Sequence, residues 1–126
     1  MALGPRGSVD LATERRVWWW QDGRRHTPAM PAPMELVFAV EVDGQGALLM
    51  TGTARVSASD LEATVHRRAA PDAEWVRVRL PESFSTAGAM TRLDTGAVRL
   101  LEVGPGRRSL AALEAGASDA VLVGEP

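Results

Sequence analysis

Residues 35–56 read ELVFAVEVDGQGALLMTGTARV, and this stretch decides the fold. Leu36, Phe38, Val40 and Val42 alternate with Glu35, Val37, Ala39 and Glu41, the period of a strand. Beyond Gly44-Gln45-Gly46 the alternation resumes with Leu48, Met50, Gly52, Ala54 and Val56. A three-residue loop with Gly46 in the left-handed conformation joins two such strands into a hairpin. That register sets Val42 against Leu48 and Val40 against Met50 on one face; a slip of one residue would scatter them. It also predicts Phe38 across from Gly52, with the ring covering the bare backbone.

Residues 57–68 admit two readings. Ser59 followed by Glu62 is a capping box and argues for a helix start. Leu61, Ala63 and Val65 alternate with Glu62, Thr64 and His66, which argues for a strand. The strand is preferred because residues 74–80 also alternate, with Val76, Val78 and Leu80 against Trp75, Arg77 and Arg79. The connector Ala69-Ala70-Pro71-Asp72 then forms a hairpin loop. Leu36, Phe38, Val40, Val42, Leu48, Met50, Val76, Val78 and Leu80 are the expected core.

Toward the C-terminus, Asp94-Thr95-Gly96 marks a further hairpin leading into residues 97–103. Gly104-Pro105-Gly106 breaks that strand. Residues 109–115 have helical composition, with Leu110 and Leu113 on one side and Gly116 in the position where helices prefer to end. A short strand over 120–123 follows. Toward the N-terminus, Arg16 to Gln21 reads as a strand before the tight-turn pair Asp22-Gly23. Pro28, Pro31 and Pro33 make a connector unsuited to helix or central strand. The expected fold is mainly β, an antiparallel sheet or partly closed barrel or sandwich, with one C-terminal α-helix and α+β as the alternative. Residues 1–15 are expected to be a flexible tail and 16–126 a single β-rich globular domain. No internal repeat is evident in the sequence.

Composition narrows the function classes. With 14 basic and 16 acidic side chains the formal net charge is −2, which gives no electrostatic case for nucleic acid or a membrane as partner. The chain has no cysteine, so disulfides and thiolate chemistry are out. His26 and His66 are its two histidines, and neither has company at metal-ligand spacing. Every basic residue is Arg, and Lys, Asn, Ile and Tyr are all missing. Loss of uncharged Asn and Ile alongside Lys points to the codons of a GC-rich bacterial genome, not to a surface selected for guanidinium contacts. With neither a membrane span nor a signal-peptide pattern, the expected location is the cytoplasm.

Two places could carry contacts. In a strand, Trp18 and Trp20 share one face and Trp19 takes the other, so one side enters the core and the other offers indole to a protein partner or small apolar ligand. Arg107 and Arg108 stand at the start of the expected helix, against its dipole, where an anion between them would be accommodated. Ser59, Asp60 and His66 have the letters of a triad but no glycine-flanked nucleophile turn.

Residues 98–126 carry Glu102-Val103-Gly104-Pro105-Gly106 after a strand, then a helical segment, then Glu125 at the end of the next strand. This resembles the first strand–loop–helix–strand unit of class I S-adenosylmethionine-dependent methyltransferases. The resemblance implies glycines that let the backbone approach the cofactor and an acidic Glu125 on its ribose. Arg108 stands where that family has its third glycine, and the resemblance is confined to this segment. No cofactor is expected. The expected function is a small non-catalytic binding or accessory module working through its Trp-bearing face. Two alternatives are a small enzyme with a pocket in a barrel or sandwich, with His66 or an acidic residue as base, and a structural subunit assembling with copies of itself through sheet edges.

Overall fold

The computed structural model describes residues 2–4, 7–13, 16–21, 23–31, 34–55, 57–58, 61–81, 87–102 and 109–124. Their regular structure is all strand. Twelve strands follow one another: β1 (Ala2–Gly4), β2 (Gly7–Thr13), β3 (Arg16–Gln21), β4 (Arg24–His26), β5 (Met34–Val42), β6 (Leu48–Arg55), β7 (Leu61–Arg68), β8 (Trp75–Val78), β9 (Ala87–Arg92), β10 (Val98–Glu102), β11 (Leu110–Leu113) and β12 (Val121–Gly124). They form three four-stranded antiparallel sheets, β1-β2-β3-β4, β5-β6-β7-β8 and β9-β10-β11-β12, each with its strands in chain order.

The central sheet accounts for the apolar run of residues 47–50. Leu48 and Met50 point to one face, where they meet Val37 and Val42 of β5 and Val17 and Trp19 of the N-terminal sheet. Leu49 points to the other, with Val65 and Val78, against Val98, Leu100, Ala111 and Leu113 of the C-terminal sheet. Both faces are therefore covered, and residues 48–52 are buried without interruption. A one-sided alternation would have left Leu49 and Thr51 in water.

The hairpin forms as expected at its tip. Val42 pairs with Leu48, Val40 with Met50, and Gly46 has a φ of 82°. Away from the tip the register departs from the alternation. Irregularities between Met34 and Leu36, and between Val37 and Ala39, each insert one extra residue into β5. Val37, not Phe38, then stands opposite Gly52, and Phe38 is turned out to 41% exposure. What covers Gly52 is the Leu36 backbone instead of an aromatic ring. Val76 is also outside the core, 54% exposed on the edge strand β8, while its neighbour Trp75 packs inward.

Two expectations near the ends are corrected. Residues 110–113 form strand β11, antiparallel to β10 with Val98 opposite Leu113, and not a helix. A segment this short cannot hold a helix by propensity alone, and β10 offers it a full ladder of hydrogen bonds. In the strand, Ala111 and Leu113 are buried on one face and Leu110 lies on the other. Gly116 keeps the positive φ that a helix terminus would also have needed, 83°, but uses it in the β11–β12 turn. An antiparallel hairpin is also not the strand–helix–strand unit of the methyltransferases, whose strands run parallel. At the other end, strands β1 and β2 occupy the stretch read as a tail, and β2 pairs along β3. For 61–68 the strand reading holds: β7 pairs with β6 from Leu48↔Arg68 to Arg55↔Leu61. Ser59, the cap residue of the helical alternative, lies outside the described residues.

At one end of the stack the hairpin loops of all three sheets meet. Asp43, only 2% exposed, begins the β5–β6 turn. Its Oδ1 accepts from Gln45 N (2.8 Å) and Ala47 N (3.0 Å), and its Oδ2 faces Arg67 Nε at 3.0 Å. Gly44 N donates to Gly96 O of the β9–β10 turn (3.0 Å), and Gln21 Nε2 at the end of β3 donates to Gly46 O (3.3 Å). The Gln45 side chain lies against Gly116.

Candidate functional site

The three tryptophans of β3 divide as strand geometry requires. Trp19 is fully buried between the N-terminal and central sheets, with its ring centroid 6.3 Å from that of His26. It is core. Its Nε1 finds no hydrogen-bond partner among the described residues, so the ring is held there by packing. Trp18 and Trp20 lie on the opposite, outward face and are half-buried. Their rings meet edge to face, with centroids 6.1 Å apart and planes at 89°. Arg25, opposite Trp20 on β4, places its guanidinium over Trp18 at 5.2 Å from the ring centroid. The outward face is thus a prearranged aromatic–cationic patch, with Arg24 and Arg25 exposed beside it. It is not a flat stacking platform: one indole stands upright against the other, and Arg25 covers Trp18. Arg107 and Arg108, the second pair of expected contact residues, lie outside the described residues.

Between the N-terminal and central sheets a shallow cleft of about 350 Å³ opens at the edge, lined by Gln21, Arg24, His26, Pro71 and Asp72. It joins the end of the β3–β4 hairpin to the β7–β8 loop. Just behind, Trp75 Nε1 donates to Ala29 O at 2.7 Å, and the Arg68 guanidinium lies 5.6 Å from the Trp75 ring centroid while donating to Pro71 O. The lining holds an imidazole and a carboxylate but no hydroxyl, thiol or amine to serve as a nucleophile. Among the described residues no group of three or more metal-binding side chains is assembled, and no helix is long and apolar enough to cross a membrane.

His66 is the residue that the sequence reading misplaced most. Alternation groups it with Glu62 and Thr64 on the polar side of its strand, yet it is 5% exposed, opposite Met50 on one side and Arg77 on the other. Its ring meets Trp75 edge to face, and Nδ1 has no hydrogen-bond partner among the described residues. The face that looked polar along β7 is the one it shares with Met50 and Trp75, which pack in the cluster of Val17 and Trp19. The registers of β7 with its two neighbours, which put His66 on one face with Met50 and Trp75, signal this.

Burial, helped by the Arg77 charge, lowers the His66 pKa from 6.5 to about 4. The unfolded chain therefore takes up a proton near 6.5, while the folded chain resists until about 4. The associated stability is complete above the upper value and is lost as pH falls through this window, about 2 kcal/mol by pH ~5. Urea melts from neutral pH down to ~5 should show this decline, and His66→Gln should flatten it. An identical slope in the variant would mean that His66 protonates freely in the folded chain.

No known protein family matches the chain, and neither does any curated protein or solved structure.

Proposed function

We propose that the chain is a non-catalytic binding module that contacts a protein partner through the outward face of its N-terminal sheet. The observation that carries this reading is the Trp18–Trp20–Arg25 patch, half-exposed on the face opposite the core residue Trp19. Tryptophan and arginine supply a disproportionate share of binding energy at protein interfaces. Here their mutual contacts already restrict the rotamers, so less conformational entropy remains to be lost on association. The upright ring pair favours a shaped protein surface over a flat sugar or base.

A benzophenone side chain introduced at position 25 should, on illumination in an extract of the native host, give a discrete protein adduct. Changing Trp18 and Trp20 together to Ala should abolish that adduct while leaving the far-ultraviolet circular dichroism unchanged. Absence of any adduct from position 25, or one indifferent to both tryptophans, would refute the reading.

A further inference from the structure

Trp19 pairs with His26 and Gln21 with Arg24, so Gln21, Arg24 and His26 share the inward face of the β3–β4 hairpin. Toward the hairpin end this face opens into the cleft, whose other wall is Pro71 and Asp72 of the β7–β8 loop. A guanidinium and an imidazole from one sheet therefore stand in the same cleft as a carboxylate from another.

These groups do not close on one another. Among the described residues, Arg24, His26 and Asp72 form no hydrogen bond and no ion pair. Elsewhere, opposite charges that the fold brings together from different elements do meet: Arg67 with Asp43 at 3.0 Å, Arg79 with Asp119 at 3.6 Å, and Arg77 with Glu62. The walls of the cleft are nonetheless fixed. Gln21 Nε2 donates to Gly46 O, and the His26 ring rests against Trp19. On the other side Arg68 Nη2 donates to Pro71 O at 2.7 Å, and Ala73 N closes the loop onto Ala70 O at 3.0 Å. Two unlike charges are thus carried on held backbone with no protein partner for either. Such an arrangement is prepared for a ligand that supplies both partners.

We propose that this cleft binds a small zwitterion of the α-amino-acid type, its carboxylate on Arg24 and the His26 ring N–H and its ammonium on Asp72. A guanidinium takes a carboxylate through two parallel N–H···O bonds, and an ionised carboxylate accepts from an ammonium. A ligand with a single charge would leave the opposite wall unmatched. The volume, about 350 Å³, lies at the low end of the roughly 300–1,000 Å³ of small-molecule sites. It admits an amino acid or a dipeptide. With Pro71 as the one aliphatic residue of the lining, recognition falls on the two charged groups and not on a large apolar side chain. The cleft is on the other face of the sheet from Trp18 and Trp20, so this site stands apart from the tryptophan patch.

Amide NMR of the isotope-labelled chain, titrated separately with each common L-amino acid and with glycylglycine, tests the proposal. At least one of these is expected to saturate with a Kd at or below about 1 mM, shifting the amides of Arg24, His26 and Asp72. Which of them saturates tells a free amino acid from a peptide. Acetate and methylamine, with one charge each, should bind roughly tenfold more weakly or worse, and Arg24→Gln and Asp72→Asn should each cost a similar factor. Both side chains are exposed, so the variants are expected to fold, and unchanged amide shifts away from the cleft check this. No saturation below ~10 mM by any of these zwitterions would overturn the proposal. Saturable shifts confined to other parts of the chain would do the same. So would acetate or methylamine binding as tightly as the zwitterions, or either variant binding like the wild type. None of these failures touches the adduct expected from position 25, which lies on the opposite face.

Discussion

Replacing Asp43 by Ala is expected to cost about 3–5 kcal/mol, enough to unfold much of the population of an ordinary small protein. The carboxylate is buried and does three things at once. It closes the β5–β6 turn by accepting from Gln45 N and Ala47 N, and it receives the guanidinium of Arg67 from β7. Removing it strands two backbone donors and a charge whose side chain is only 16% exposed. The turn it shapes also carries the Gly44–Gly96 hydrogen bond between sheets, so the loss spreads beyond one hairpin. Asp43→Asn should recover part of the stability, because its Oδ1 can still accept from the turn while Arg67 loses its counter-charge. Urea denaturation of the three proteins measures this order. A loss below about 1 kcal/mol for Asp43→Ala would show that the turn does not depend on it.

Gly52→Ala is expected to cost about 3 kcal/mol or more, although it adds a single methyl group. A Cβ at this position would fall on the Leu36 carbonyl oxygen, 2.9 Å from the carbonyl carbon and 3.1 Å from the Val37 Cα. These are backbone atoms and cannot turn aside as a side chain would. They are held there by the irregular β5 segment that lets Val37 reach the core. Relief would require β5 to leave β6, taking Val37 out of contact with Leu48 and Met50. Thermal melts of Gly52→Ala should show a large fall in Tm, while Gly23→Ala, whose added Cβ meets nothing within 4 Å and pays mainly for its positive φ, should fall much less. Equal effects at the two glycines would mean that the close approach of β5 does not exist.

The Gly52 case also shows why the candidate site could be read only in part. Alternation told correctly that Trp18 and Trp20 share a face and that Trp19 opposes them, since successive side chains on a strand must point to opposite sides. It could not tell which side is covered, because that depends on where the next sheet lies. The same gap put Phe38 inside and His66 outside. The extra residue between Val37 and Ala39 reverses the phase of β5 at Phe38, and His66 shares its face with Met50 and Trp75, which pack with Val17 and Trp19 from far away in sequence. Nothing in a one-sequence reading joins Gln21, Arg24 and His26 to Pro71 and Asp72, which meet only after two hairpins have formed and stacked.

What the sequence determined by itself is local. The β character, the hairpin at Gly46, the strand over 61–68 and the turn at Gly96 follow from steric preferences and a period of two, which act within a few residues. The long-range order comes from the stacking of the sheets. It made β11 a strand although residues 109–115 favour a helix, because an unfilled edge of β10 offers more than propensity does. It buried both faces of β6, and it gathered the hairpin loops of three sheets around Asp43. Local preference is worth tenths of a kilocalorie per residue, roughly, whereas covering an apolar sheet face is worth several, so where the two conflict the stacking of the sheets prevails.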